Sequence, residues 1–118
     1  MHIFVYGTLK KGNPNHFLLR SSEFAGSTKS ADKYVMLDLG RFPGVMKQEN
    51  VPGLPASQIK GEVYNITERT LGELDTYEGE WYFREEIQLE DERTAFMYFL
   101  KKVPPVNYKI ISNGNWTK

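Results

Sequence analysis

The first six residues form a run that is apolar on both of its alternating sides. Phe4, Val5 and Tyr6 favour β-strands, and a strand with two apolar faces is typical of the middle of a sheet that is covered on both sides. We therefore predict a central, buried strand over residues 1–6. The strand ends at Gly7, where the missing side chain allows a sharp turn and lets a ligand approach the backbone N–H groups closely.

Several other short runs have the composition of β-strands and follow one another at short intervals. They are residues 34–37, 60–66, 83–89 and 94–100, with a short strand or loop at residues 24–25. Residues 90–93 form the turn of a hairpin between the last two strands. Residues 41–55 contain three prolines and two glycines, which predicts a rigid connection instead of a strand-rich segment.

Two helices are predicted beside these strands, a short one at residues 16–19 after Asn13 and Pro14, and a longer one between Thr67 and Gly79. Strands joined by short turns suggest an antiparallel or mixed sheet, and their apolar character suggests closure into a barrel. The predicted fold class is α+β, a small mixed or antiparallel β-barrel with flanking helices. At 118 residues the chain is predicted to be a single domain over residues 1–118.

Charge and composition exclude several classes of function. The 15 basic and 15 acidic side chains cancel, so no net charge steers the chain toward nucleic acid or an anionic membrane. The absence of cysteine excludes disulfides, thiolate metal sites and a thiol nucleophile. No signal peptide and no apolar run of membrane length is visible. We expect a cytoplasmic protein that binds neither nucleic acid nor membrane, and the sequence indicates no particular oligomeric state.

Glu78 occupies a helix position where the periodicity favours an apolar residue. Leu71, Leu74 and Glu78 are three and four residues apart, so they share one face of the predicted helix. If the leucines face the core, burial and the negative end of the helix dipole both raise the pKa of the Glu78 carboxyl. A raised carboxyl pKa suits proton transfer near neutral pH. The alternative is that Tyr77 takes the inward position and Glu78 is a solvated helix end.

The turn after the first strand, residues 6–9, is the second candidate site. Its N–H groups can form a nest that binds an anion, and the alternative is a corner that needs glycine for backbone reasons alone. Asp75 and Glu78 lack a third ligand for a metal ion, and His2 and His16 are isolated from each other in the sequence. No metal site is therefore predicted.

The period of two in the strand at residues 83–89 places Arg84 opposite Ile87 and Leu89, on the outer side of the sheet. Tyr82 falls on the same outer side. The aromatic residues, Tyr98 among them, are predicted to fill the core and the barrel wall.

Seven segments in order along the chain form one pattern: Val5-Tyr6-Gly7-Thr8-Leu9-Lys10 with Gly12, Tyr34-x-x-Leu37-x-x-Gly40, Phe42-Pro43-Gly44-Val45, Lys60-Gly61-Glu62-Val63-Tyr64, Leu74-Asp75-x-x-Glu78-Gly79, Tyr82-x-Arg84 and Tyr98. Taken together, these segments resemble the γ-glutamylcyclotransferase-like proteins, in particular the branch that contains γ-glutamylamine cyclotransferases. The resemblance covers nearly the whole chain in the expected order.

The resemblance implies a small β-barrel with a cavity at one end and a small-molecule γ-glutamyl substrate. It implies that Tyr6, Gly7, Thr8 and Leu9 bind the glutamyl part, largely through backbone groups, and that Glu78 is the acid and base. The implied reaction is closure of the γ-glutamyl group to 5-oxoproline with release of the amine, without a metal or organic cofactor. The α-amine of the substrate is the nucleophile, so the protein supplies neither serine nor cysteine.

Two other functions remain open from the sequence. The chain could be a non-catalytic barrel that binds a small ligand, which a turnover assay on γ-glutamyl compounds would distinguish from the enzyme. It could also be a protein-interaction barrel without a cavity, for which an exposed Glu78 and a filled barrel end would be expected.

Overall fold

The computed structural model describes residues 1–117, and it confirms an α+β fold made of one sheet and one α-helix. The strands are β1 (His2–Val5), β2 (Glu23–Asp38), β3 (Pro43–Met46), β4 (Ser57–Asn65), β5 (Tyr82–Gln88), β6 (Thr94–Leu100) and β7 (Lys109–Ile110), and the helix is α1 (Glu68–Glu78). Three short 3-10 helices are His16–Leu19, Gln48–Asn50 and Gly79–Trp81. No helix within residues 1–117 is long and apolar enough to cross a bilayer.

The position of β1 confirms the prediction of a buried central strand. It lies between β4, which runs antiparallel to it, and β6, which runs parallel. Ile3 and Val5 pack in a cluster with the leucines of α1 on one face of the sheet. Phe4 and Tyr6 pack in a second cluster on the other face. The two apolar sides of the first strand therefore correspond to two separate layers of core.

The predicted closure into a barrel is not confirmed. Hydrogen-bonded strands follow the order β3-β2-β4-β1-β6-β5, with β7 on β2, and this path is open at β3 and β5. The open end at β3 packs against β6 through side chains, since a Cβ atom on Gly44 of β3 would overlap the side chain of Leu100 in β6. Within the described residues, a single isolated bridge between Ser30 and Leu89 joins β2 to the end of β5.

The rigid connection predicted over residues 41–55 contains one short strand, β3, which the sequence did not predict. Pro43 is the first residue of an edge strand, where the missing N–H is tolerated. The runs at residues 24–25 and 34–37 prove to be parts of the single strand β2. Its register with β4 shifts twice, between Phe24 and Ser27 and between Lys29 and Lys33, and such bulges disrupt the alternation that marks a strand in the sequence.

Helix α1 begins and ends where the sequence predicts. The Thr67 side chain accepts a hydrogen bond from the N–H of Thr70 at 3.2 Å, as an N-cap residue does. Leu71 and Leu74 are buried against the sheet. Gly79 ends the helix with φ of 71°, a conformation that favours glycine. The hairpin of β5 and β6 is also confirmed, with Tyr82 paired to Leu100 at its open end.

Candidate active site

A cavity of about 190 Å³ lies where β1 ends and α1 stops, and we call it the main cavity. All the candidate site residues line it: Tyr6, Gly7, Thr8, Leu9 and Glu78. The turn and the helix end are some seventy residues apart in the sequence, and the central position of β1 brings them together. The structure therefore places the two candidate sites in one cavity.

The Glu78 carboxyl lies in the last turn of α1, half-buried at the wall of the main cavity. Burial raises its pKa from 4.5 to about 7. Within residues 1–117 no side chain or backbone N–H forms a hydrogen bond with this carboxyl, so burial acts without the opposing effect of a donor. Tyr77 is the more exposed of the two neighbours, with 40% of its surface accessible. Glu78 therefore combines a near-neutral pKa with free oxygens facing the cavity.

Three tyrosines whose pKa values are raised in part by the Glu78 charge donate their hydroxyl hydrogens to other acceptors. The Tyr6 hydroxyl donates to the backbone oxygen of Tyr98 at 2.8 Å, and the Tyr82 hydroxyl donates to that of Pro43 at 2.9 Å. The Tyr98 hydroxyl donates to Asp75 Oδ1 at 2.6 Å. Burial is the main reason that the pKa of each tyrosine is raised, and all three hydroxyls stay protonated near neutral pH. Because their hydroxyls donate elsewhere, the three tyrosines lie beside the Glu78 carboxyl without donating a hydrogen bond to it.

Tyr77 links the end of α1 to the turn after β1. Its hydroxyl lies 3.0 Å from the Thr8 hydroxyl and accepts a hydrogen bond of 2.6 Å from Asn15 Nδ2. The backbone N–H of Asn15 donates to the oxygen of Thr8 at 3.1 Å. These contacts fix the turn relative to the helix, and with it the distance between the turn and Glu78.

The turn itself has backbone N–H groups available to a ligand. Its fold is set by a hydrogen bond of 3.0 Å from the N–H of Lys10 to the oxygen of Gly7. The N–H groups of Gly7, Thr8 and Leu9 donate no hydrogen bond to any of residues 1–117. Consecutive unpaired amides at the end of a strand are a site where an anion or a carbonyl oxygen can bind.

Gly7 is required by a close contact and not by an unusual backbone angle. A Cβ atom at this position would lie 2.8 Å from both Cγ and Cδ of Pro43, another residue of the main cavity. A proline ring has little freedom to move away. A larger residue at position 7 must therefore displace β3 as well as enter the cavity, so binding and stability are coupled there.

An ion pair beside the main cavity was not anticipated by the sequence. Arg84 in β5 donates from Nε to Asp75 Oδ1 at 2.9 Å and from Nη2 to Asp75 Oδ2 at 3.1 Å. These bonds are the main reason that the pKa of Asp75 is lowered. Arg84 lies on the side of the sheet opposite Ile87, as predicted, but α1 covers that side. Tyr82, predicted to be outward, and Tyr98, predicted to be core, both line the main cavity.

The described residues contain no group of three or more histidine, aspartate or glutamate side chains arranged to hold a metal ion. Asp75, which the sequence places near Glu78, is held by Arg84 and Tyr98. What the arrangement can do chemically is transfer protons at Glu78 beside a set of free backbone N–H groups.

Comparison with known proteins decides the family. The family model described as "Gamma-glutamyl cyclotransferase, AIG2-like" matches residues 3–118. The chain belongs to the AIG2-like γ-glutamyl cyclotransferase family. Among relatives of this cyclotransferase-family protein, the Escherichia coli γ-glutamylcyclotransferase family protein YtfP is 36% identical over 118 residues, covering 98% of this chain and 96% of that protein.

Two further relatives connect this member of the cyclotransferase family to named proteins in vertebrates. The γ-glutamylaminecyclotransferase C of Danio rerio is 39% identical over 98 residues, covering 75% of this chain and 62% of that protein. The crystal structure of an AIG2-like protein from Mus musculus superposes with a TM-score of 0.77 at 26% identity, covering 98% of this chain and 87% of that one. The family and the fold therefore agree.

Proposed function

We propose that the protein is a cofactor-independent γ-glutamylcyclotransferase, which converts a γ-glutamyl amine or γ-glutamyl amino acid into 5-oxoproline and releases the amine. One observation supports this most strongly: the unbonded carboxyl of Glu78, with a pKa of about 7, lines the same cavity as the free N–H groups of the turn at Gly7 to Leu9. An intramolecular cyclisation needs a proton-transfer group and a site for an oxyanion, and this cavity offers both.

In the proposed complex the turn binds the glutamyl part. The N–H groups of Gly7, Thr8 and Leu9 receive the substrate carboxylate or the oxygen of the γ-carbonyl group as it becomes negative. Tyr6 and Pro43 limit the volume beside the turn, because both line the main cavity. A cavity of this small size favours the folded-back conformation in which the α-amine meets the γ-carbonyl carbon.

The protons move through Glu78. Its carboxylate takes a proton from the α-ammonium group, and the free amine attacks the γ-carbonyl carbon to form the new C–N bond and a tetrahedral oxyanion. The protonated carboxyl then donates to the leaving nitrogen, and the old C–N bond breaks as the carbonyl reforms. The attacking nitrogen then loses a second proton, which passes through the Glu78 carboxylate to the released amine. The products are therefore 5-oxoproline and an ammonium ion, and Glu78 is again a carboxylate. No water, oxidant or co-reactant is consumed.

The test is an assay of 5-oxoproline formation from a panel of γ-glutamyl amino acids, γ-glutamyl-ε-lysine and glutathione. Turnover of at least one compound, in proportion to enzyme concentration, supports the proposal. Binding without turnover of any compound would instead support a non-catalytic ligand-binding domain. If the protein neither binds nor turns over any of these compounds, an interaction domain would be favoured. The half-buried Glu78 and the main cavity argue against an interaction domain.

A further inference from the structure

A cavity of about 460 Å³ lies between β2, the residues that follow β3 and the outer edge of β5, and we call it the edge cavity. It is lined by residues 32–34, 47–49 and 85–88 together with Phe99. β5 is one end of the open path of strands, so its outer edge is paired with no other strand of the described residues. None of the residues that line the edge cavity lines the main cavity. The open sheet therefore carries a second cavity that the proposed function does not use.

Tyr34 brings an unpaired hydroxyl to the edge cavity. The residue is buried, with 8% of its surface accessible, and its ring packs edge-on against Phe99 with the centroids 5.3 Å apart. Its hydroxyl forms no hydrogen bond with any of residues 1–117. Within the described residues, Ser57 Oγ is the one side-chain oxygen or nitrogen that is both fully buried and unpaired, so the Tyr34 oxygen reaches the open space of the edge cavity. A nearly buried tyrosine whose oxygen has no partner in the protein marks a place for a ligand.

The charges around the Tyr34 hydroxyl are mainly negative. Burial is the main reason that the pKa of Tyr34 is raised, and the carboxylates of Asp32 and Glu85 raise it further, so both lie near the hydroxyl. Lys47 donates to Glu85 Oε1 at 2.8 Å, whereas Asp32 has no ion-pair partner in the part of the chain that the structure describes. Over the whole lining, four carboxylates outnumber two ammonium groups. The edge cavity therefore favours a cation and repels an anion.

The ammonium group of Lys47 shows which kind of cation suits this wall. It binds the Glu85 carboxylate and lies 5.7 Å from the centroid of the Phe99 ring. A metal ion fits less well, because no three histidine, aspartate or glutamate side chains of residues 1–117 are arranged to hold one. A primary ammonium instead has three N–H donors, which three separate oxygens can accept.

We propose that the edge cavity binds the primary ammonium group of a small aliphatic amine. The Tyr34 oxygen and the carboxylates of Asp32 and Glu85 are its three acceptors. The second oxygen of Glu85 serves the ligand, because Lys47 binds the first. Asp32 supplies the negative charge that no side chain of the described residues neutralises.

The probe is n-butylamine, which is protonated near neutral pH as the lysine side chain is. Its binding to wild type is followed by the NMR chemical shifts of the backbone amides at constant ionic strength. We expect saturable shifts at residues 32–34, 47–49 and 85–88, with little change at residues 7–9 of the main cavity. 1-Butanol has the same chain without the charge, and tetramethylammonium has the charge without N–H donors. Each should bind roughly tenfold or more weakly.

Two variants test the acceptors one at a time. Y34F removes the hydroxyl and keeps the ring against Phe99, so the affinity for n-butylamine should fall roughly tenfold, the scale of a hydrogen bond to a charged group. D32N removes one negative charge at an exposed position and should cause a similar loss, so it serves if Y34F fails to fold. Y108F is the matched control, because Tyr108 is exposed and lies outside the edge cavity, and it should bind n-butylamine as wild type does.

Several results would overturn the proposal. They are the absence of saturable binding of n-butylamine to wild type, equal affinity for 1-butanol or tetramethylammonium, and an unchanged affinity in folded Y34F or D32N. Shifts confined to the main cavity would also overturn it, because the amine would then be binding as a product of the proposed reaction does. The experiment measures no 5-oxoproline, so it decides the role of the edge cavity separately from the proposed function.

Discussion

Replacing Glu78 with glutamine measures the electrostatic cost of placing this carboxyl at the cavity. Burial raises its pKa from 4.5 to about 7, so the folded chain holds the proton more tightly than the unfolded chain does. The proton-linked stability is therefore fully present below the unfolded pKa and is lost as the pH rises through about 7. A rise of this size corresponds to roughly 3 kcal/mol once the carboxyl is ionised in both states.

The assay is denaturant unfolding of wild type and E78Q across this range. Between about pH 5 and about pH 8 we expect wild type to lose roughly 2 kcal/mol of unfolding free energy relative to E78Q, since solvent reaches part of the side chain and reduces the burial penalty. E73Q is the matched control, because Glu73 is exposed on the same helix. A free-energy difference between wild type and E78Q that stays constant with pH would refute the reasoning.

Three further predictions concern the turn, the pH dependence and the helix cap. G7A should lower the unfolding free energy by about 1–3 kcal/mol and weaken ligand-induced thermal shifts, because its Cβ overlaps Pro43; unchanged melting would contradict the contact. kcat/KM should fall as the pH drops below about 7, where Glu78 takes up a proton. A kcat/KM that stays constant below this pH would exclude Glu78 as the base. T67A should cost about 1 kcal/mol in denaturant unfolding through the lost bond to Thr70, whereas no loss would show that water replaces the cap.

The sequence predicts the parts of this fold that depend on local patterns. The two apolar faces of β1 and the spacing of Leu71, Leu74 and Glu78 are local, and burial confirms both. The sequence does not predict β3, because Pro43 normally indicates the end of a strand. An edge position tolerates this proline. The sheet is open at β3 and β5, and the close contact of Gly44 with Leu100 is set by tertiary packing, so neither feature is visible in a local segment of the sequence.

The candidate site shows the same division. Glu78 and the turn at Gly7 are visible in the sequence because each breaks a local rule, a carboxyl on an apolar helix face and a glycine at a strand end. The pair of Asp75 and Arg84 breaks none, since each residue reads as an ordinary exposed charge. Their contact, and the hydroxyl of Tyr98 beside it, arises only when α1 packs across β5 and β6.

The central claim is that Glu78 transfers the protons of the cyclisation. Its most direct test is the rate of 5-oxoproline formation by E78Q on a substrate that wild type turns over, with binding measured in parallel by calorimetry. Glutamine keeps the size of the side chain but cannot exchange a proton, so kcat should fall by roughly a hundredfold or more while the affinity is retained. A kcat close to that of wild type in a folded E78Q protein would contradict the claim.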